Sequence, residues 1–117
     1  MEDGTILVLE DNELDYLVLA RQYDVIWAKS IAEAKDVEFD IILSDLGLAR
    51  DSREDLITWL TTLTDKVVVI YSDNRDKKVN YRLGQLGFYP MPKGTKDFDT
   101  VISFAHGRSN TLKRIAE

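Results

Sequence analysis

The sequence has no cysteine, and it has no apolar run long enough to cross a membrane. The absence of cysteine excludes disulfide bonds, thiol nucleophiles and zinc sites with cysteine ligands. A spanning helix needs roughly 20 apolar residues, and no run approaches that length. The first residues, MEDGTILVLEDN, are acidic where a secretory signal is basic. We therefore expect a cytoplasmic protein that does not enter a membrane.

Positive charge is also scarce, because 15 lysines and arginines face 21 aspartates and glutamates, for a formal net charge of −6. This balance disfavours non-specific binding to nucleic acid or to anionic membranes. Lys113 and Arg114 near the end of the chain are too few to predict DNA binding. The length of 117 residues allows one hydrophobic core and is too short for two. We expect a single domain over residues 1–117.

The chain does contain regularly spaced apolar runs. They are continuous rather than alternating, which is typical of strands that are buried on both faces of a parallel sheet. The runs are TILVL (5–9), VIWA (25–28), DIIL (40–43), VVVIY (67–71) and the weaker FYPM (88–91). The proline in the last run suits an edge strand or the end of a strand.

Helical patterns separate these runs. Ser30 and Glu33 form a capping box at the start of a short second helix, and Ser52 is placed to cap the third. Gly87 is placed to end the fourth helix, and Gly107 is expected to interrupt the fifth. The apolar positions on the helix faces are Leu14, Leu17 and Val18; Leu56, Ile57, Leu60 and Leu63; Val79, Leu83 and Leu86; and Phe98, Val101, Ile102 and Ala105.

Five alternations of strand and helix predict an α/β fold of the doubly wound class. Right-handed crossovers place helices on both faces of the sheet, which gives three αβα layers. We expect a flavodoxin-like parallel sheet of five strands in the order 2-1-3-4-5. In such sheets, functional sites lie beyond the carboxyl ends of the strands, near the switch in strand order.

Polar residues stand at those strand ends. Each one alone is commonplace, since an acidic residue after a strand is usually solvated or caps a helix. The predicted strand order, however, brings three carboxylates, a hydroxyl and a lysine to one edge of the sheet. They are Glu10 and Asp11 after strand one, Asp45 after strand three, Ser72 after strand four, and Lys93 after strand five; a further acidic residue, Asp73, follows Ser72.

This set of side chains indicates phosphoryl transfer. Glu10, Asp11 and Asp45 supply oxygen ligands for Mg²⁺, which would neutralise charge on an incoming phosphoryl group. Asp45 would attack phosphorus and become an acyl phosphate. Lys93 would bind the transferred oxygens as a point charge, and Ser72 would donate a hydrogen bond to one of them.

The segments TILVLEDNELD, DIILSDLGL, VVVIYSDN and the pair PK together resemble the receiver domain of two-component response regulators, of the chemotaxis-regulator type, over nearly the whole chain. The resemblance implies the following site roles: Glu10 and Asp11 as the acidic pair, Asp45 as phosphoacceptor, Ser72 as switch hydroxyl, Lys93 as essential lysine, and the backbone carbonyl of Gly47 as a further ligand of Mg²⁺.

The resemblance also implies partners and an output. The phosphoryl donor would be a histidine kinase or a phosphotransfer protein. The domain would assist its own phosphorylation and dephosphorylation without being an enzyme in the ordinary sense. It would be a monomer or a phosphorylation-dependent dimer. A downstream protein would bind the face formed by helix four, strand five and helix five, about residues 76 to 115.

Four departures from the family pattern bear on this interpretation. The stretch between Asp11 and Asp45 is short, so helices one and two are expected to be shortened. Asp73 stands where a small residue is usual, and it either crowds the site, or faces solvent or caps a helix that begins near Arg75. The family's Lys-Pro is replaced by Pro-Lys-Gly at residues 92–94, where a cis bond before the proline is one alternative. Pro90 stands where the family has an aromatic switch residue, with Tyr89 beside it.

Other functions stay open at this stage. The main alternative is a pseudo-receiver, which is the same fold acting as an interaction module without phosphorylation. A phosphatase of the aspartyl-phosphate type would need a second carboxylate at the position of Gly47, and nucleotide binding would need a glycine-rich turn after strand one. His106, the only histidine, is expected to be structural or exposed, and Trp27 and Trp59 are expected in the core or half-buried.

Overall fold

Each apolar run forms a strand of one parallel sheet. In the computed structural model, which describes residues 4–72, 76–93 and 98–116, the strands are β1 (Ile6–Leu9), β2 (Val25–Ala28), β3 (Ile41–Ser44), β4 (Val67–Ser72) and β5 (Tyr89–Pro92). They pair in the order β2-β1-β3-β4-β5. The predicted flavodoxin-like topology is therefore confirmed.

In the described part of the chain, four helices connect the strands and a fifth follows β5: α1 (Glu13–Ala20), α2 (Ile31–Ala34), α3 (Arg53–Thr61), α4 (Lys77–Gln85) and α5 (Phe98–Ala116). The prediction of a shortened first half is confirmed, because α1 has eight residues and α2 has four. The predicted caps form as well, since the side chains of Ser30 and Ser52 accept from backbone amides three residues ahead. None of the helices, as far as the structure describes them, has the length and apolar character to cross a bilayer.

The core consists of two apolar clusters, one on each face of the sheet. Successive strand residues point to opposite faces, so Leu7 and Leu9 enter one cluster while Ile6 and Val8 enter the other. Residues of α2, α3 and α4 complete the first cluster, and residues of α1 and α5 complete the second. The three-layer αβα arrangement places the carboxyl ends of all five strands at one edge, which is where the candidate site lies.

The predicted apolar face of α1 is not the face that is buried. Leu14 is 73% exposed and Val18 is 43% exposed, whereas Leu19 is fully buried against the sheet. The helix is only about two turns long, so the side chain that reaches the sheet can be decided by a single residue. The stripe of Leu14 and Val18 is left on the surface.

The last helix runs without a break, which corrects the prediction that Gly107 interrupts it. α5 continues from Phe98 to Ala116. A glycine inside a helix costs roughly 1 kcal/mol relative to alanine. Burial of Ile102 and Ala105 on one side of Gly107, and partial burial of Leu112 on the other, offsets this cost.

Two of the departures noted in the sequence fall on segments of which only part is described. Asp73, Arg75 and Gly94 lie outside the described residues. The helix expected near Arg75 begins at Lys77, where the Asp76 side chain accepts from the amides of the first turn. Within the described ranges no peptide bond is cis, so the alternative of a cis bond before Pro92 is wrong.

Candidate functional site

The sheet itself places Glu10 and Asp45 side by side. Leu9 of β1 pairs with Ser44 of β3, and these are the last residues of the two strands. The amide of Asp45 continues the ladder by donating to the carbonyl of Leu9 at 2.9 Å, and the amide of Glu10 donates to the carbonyl of Ala28 at 3.0 Å. Both carboxylates are therefore fixed at the edge of the core, where Glu10 is 1% and Asp45 8% exposed.

The third predicted carboxylate joins them. Oxygen atoms of Glu10, Asp11 and Asp45 all lie within 4.8 Å of one another. A backbone amide orients each carboxylate: Asn12 donates to Glu10 Oε1 at 3.0 Å, Ala49 to Asp11 Oδ2 at 2.7 Å, and Leu46 to Asp45 Oδ1 at 2.8 Å. The acidic trio predicted from the strand ends is thus assembled, and its orientation comes from the loops that follow β1 and β3.

Lys93 reaches the same place from the end of β5. Its Nζ lies 3.0 Å from Glu10 Oε2 and 3.4 Å from Asp45 Oδ2. The pairing of β4 with β5 fixes the approach, because Ser72 pairs with Pro92 and the amide of Lys93 points at the carbonyl of Ser72. The ammonium also lies 5.7 Å from the ring centroid of Tyr71, within the range of a cation–π contact.

A fourth carboxylate, which sequence reasoning missed, makes the shortest contact with the lysine. Asp15 Oδ2 lies 2.7 Å from Lys93 Nζ. Asp15 stands in the first turn of α1, four residues after Asp11, and not at a strand end. Asp11 precedes the N-cap Asn12, so no helical spacing in the sequence connects Asp15 with the residues at the strand ends.

Charge and burial shift the pKa values of two of these groups. Burial raises the pKa of the Glu10 carboxyl to about 7, although the Asn12 amide and Lys93 pull it back. Burial by itself lowers the pKa of Lys93, but the hydrogen bond to Asp15, the ion pair with Glu10 and the charge of Asp45 outweigh it, so the net pKa lies above its usual range. The ammonium therefore stays charged at neutral pH.

The trio fits a small hard cation. Glu10 Oε2 is a buried oxygen that, within the described part of the chain, makes an ion pair with Lys93 but has no hydrogen-bond partner. Carboxylate oxygens are the ligands that Mg²⁺ and Ca²⁺ take in proteins. A divalent cation would satisfy this oxygen and offset repulsion among the carboxylates. Gly47 lies exposed on the loop after Asp45, and its carbonyl as a further ligand stays a prediction.

Ser72 ends β4 beside the strand that carries the lysine. It is half-buried, and it lines a cavity of about 230 Å³ between α4 and the sheet together with Asn80, Leu83 and Pro90. Its position at the correct edge agrees with the prediction, while its role as a hydroxyl donor to a phosphoryl group stays a prediction.

The two tryptophans and the histidine lie as expected, whereas Leu86, predicted on the apolar face of the fourth helix, is exposed. Trp27 and Trp59 are half-buried, and so is His106, which lies on α5 away from the acidic trio. Sequence reasoning missed one contact of Trp27: its indole nitrogen donates to the backbone carbonyl of Glu10 at 2.6 Å. The same ring stacks on Tyr16 of α1 with centroids 4.5 Å apart. Trp27 thus supports the backbone that carries the acidic pair.

Comparison with known proteins identifies the fold. No protein-family model and no curated protein matches the chain. Solved structures do match. The non-phosphorylated receiver domain of HemR from Leptospira biflexa is 25% identical with a TM-score of 0.66, over 90% of this chain and 92% of that one. Many of the matching structures are receiver domains of response regulators. The chain has the receiver-domain fold.

Two further solved structures match the fold of this chain. A response regulator from Burkholderia pseudomallei, solved with a phosphorylated aspartic acid, a calcium ion and citrate, is 22% identical with a TM-score of 0.72, over 97% of this chain and 73% of that one. A structure described as adenylate cyclase from Rhodopirellula baltica is 16% identical with a TM-score of 0.79, over 98% and 96% of the two chains.

Proposed function

We propose that this chain is a phosphorylatable receiver domain of two-component signalling, in which Asp45 accepts a phosphoryl group from a histidine kinase or a phosphotransfer protein. The observation that carries the proposal is that Asp45 lies beside both carboxylates of the acidic pair and that the ammonium of Lys93 lies 3.4 Å from Asp45 Oδ2. The carboxylate would attack phosphorus and form an acyl phosphate, while the donor imidazole leaves.

Magnesium is the proposed cofactor. Glu10, Asp11 and Asp45 would hold it, together with the backbone carbonyl of Gly47 as the family pattern implies. When bound, the ion would neutralise negative charge on the phosphoryl group. The similar Burkholderia pseudomallei protein holds a calcium ion together with a phosphorylated aspartic acid, which supports a divalent cation in this fold.

Lys93 and Ser72 are the proposed partners of the transferred group. The ammonium of Lys93 would pair with phosphoryl oxygens, since its pKa keeps it charged. The hydroxyl of Ser72 would donate to another of these oxygens. Together with Asp45 they make up a site that assists phosphorylation and dephosphorylation of the domain itself, rather than turning over an external substrate.

The proposed output is a population shift that a downstream protein reads at the surface of α4, β5 and α5. Phosphorylation would stabilise a minor arrangement of the chain beyond Ser72, including α4. Apolar side chains are already exposed there, namely Tyr81, Leu86 and Phe104. Phe104 packs edge-on against Tyr89 of β5, with centroids 4.9 Å apart. A cytoplasmic monomer, or a dimer formed on phosphorylation, fits this mode of signalling.

The alternative of a pseudo-receiver has no support from the comparisons. It rested on Asp73 and on the altered end of strand five. Asp73 lies outside the described residues. At the end of β5, Lys93 forms ion pairs with Glu10 and Asp45 of the acidic trio, although the order of proline and lysine differs from the family pattern. We therefore retain phosphorylation as the proposal.

Incubation with acetyl phosphate and Mg²⁺, followed by intact-mass measurement, tests the proposal. We expect one added phosphoryl group in the native protein, none without Mg²⁺ and none in Asp45→Asn. Asp36→Asn is a matched control, because it removes an exposed carboxylate far from the trio and should be labelled normally. No adduct in the native protein, together with no binding of beryllofluoride, would contradict the proposal.

A further inference from the structure

The ammonium of Lys93 is held more closely by α1 than by the phosphoacceptor. Its Nζ lies 2.7 Å from Asp15 Oδ2 and 3.4 Å from Asp45 Oδ2. The contact with Asp15 is a hydrogen-bonded ion pair, and the contact with Glu10, at 3.0 Å, completes the set. Lys93 thus bridges α1 to the strand ends β1 and β3.

These three contacts leave little capacity for a further anion. An ammonium has three donors, and three carboxylates already face this one. A phosphoryl group on Asp45 would bring more oxygens and more negative charge to the same cation. Charge-assisted bonds to such oxygens are strong only when the donor is free to point at them. Lys93 can therefore bind phosphoryl oxygens only if it releases one of the carboxylates with which it now pairs.

We propose that Asp15 is a competing counter-ion, which holds Lys93 away from the phosphoryl position and thereby slows phosphorylation of Asp45. This inference rests on the proposed function and adds a control on the same site. Asp15 is a positioning residue in this account, since it acts through Lys93 and does not touch the reacting atoms.

Exposure identifies Asp15 as the partner that is released. Its side chain is 33% exposed, against 1% for Glu10 and 11% for Asp45. Water can solvate the carboxylate of Asp15 once the ion pair opens, whereas a buried carboxylate left without its partner is costly. Of the three ion pairs of Lys93, the pair with Asp15 therefore costs the least free energy to break when a phosphoryl group takes its place.

The negative charge of Asp15 acts in the same direction. Asp15 adds a fourth carboxylate to the cluster of Glu10, Asp11 and Asp45, and in the described part of the chain Lys93 is the one cation that pairs with any of the four. A dianionic donor approaching Asp45 meets this excess of negative charge. Removing one carboxylate that is not among the proposed metal ligands lowers the repulsion and leaves the trio intact.

The test compares Asp15→Asn with the native protein. We measure the initial rate of labelling by acetyl phosphate with Mg²⁺, and the dissociation constant of beryllofluoride. The variant should be labelled about three- to tenfold faster and should bind beryllofluoride more tightly by a similar factor, as expected for one partly exposed ion pair. Its affinity for Mg²⁺ should not increase, because the variant has lost a negative charge.

A gain in beryllofluoride affinity without a gain in Mg²⁺ affinity separates competition from a structural change, since damage to the site would weaken the binding of both ligands. Glu13→Gln is the matched control: it removes an exposed carboxylate from the same turn of α1, and its labelling rate should stay within about twofold of native.

Two results would overturn the inference in different ways. The first result is that the native protein accepts phosphate but Asp15→Asn is labelled more slowly than native, or no faster than Glu13→Gln. This result would exclude competition by Asp15 and leave the proposed function intact. A native protein that neither accepts phosphate nor binds beryllofluoride would overturn the proposed function, and the inference with it. The native arm of the experiment therefore distinguishes the two failures.

Discussion

At the scale of single residues, the site depends on how burial and charge divide the roles of its carboxylates. Glu10 is the most buried of them, and burial raises its pKa to about 7. Asp15 is the most exposed partner of Lys93, and it forms the shortest ion pair. In the proposed function, Glu10 would exchange a proton for a metal ion, and Asp15 would give up Lys93 to a phosphoryl group.

The raised pKa of Glu10 predicts that binding of Mg²⁺ depends on pH. A cation needs the ionised carboxylate, so binding must displace the proton that Glu10 holds below a pH of about 7. Affinity should therefore be weak near pH 6, should rise as the pH passes through about 7, and should level off above it. Titration calorimetry in buffers of different ionisation enthalpy measures both the affinity and the proton released.

The control for this prediction is a pair of variants. Glu10→Gln should weaken binding and remove the dependence on pH, whereas Asp11→Asn should weaken binding and keep it. Equal affinity of the native protein at pH 6 and pH 8, with no proton released, would contradict the account.

At the scale of elements, the sequence predicted strands better than helices. Four-residue apolar runs buried on both faces can form little else in an α/β chain, and β1 and β3 lie where the pattern predicted them. The buried side of α1 could not be predicted, because in so short a helix docking onto the sheet decides it. The continuity of α5 through Gly107 likewise depends on tertiary packing, which local propensity does not include.

The continuity of α5 leads to a stability prediction. Gly107 is exposed within the helix, and a Cβ added there would meet nothing within 4 Å. Gly107→Ala should therefore raise the free energy of unfolding by about 0.5–1 kcal/mol, measured by urea titration. Gly87→Ala is the contrast, because Gly87 has a φ of +82° and should lose about 1 kcal/mol or more. A loss of stability in Gly107→Ala would contradict the helix as described.

At the scale of the whole molecule, the strand order brings the site together. Residues 10, 45 and 93 are distant in sequence, but the order β2-β1-β3-β4-β5 places the ends of their strands at one edge. The acidic trio and the lysine could be predicted because they follow strands directly. Asp15 could not, because its contact depends on how far Lys93 reaches from β5 toward α1 across the sheet edge.

The central claim is that Asp45, among 21 aspartates and glutamates, is the phosphoacceptor. The most direct test is to label the protein with acetyl phosphate, reduce the acyl phosphate with borohydride and map the resulting homoserine by peptide mass spectrometry. The account predicts homoserine at position 45 in the native protein. Homoserine at another aspartate, with position 45 unmodified, would contradict it.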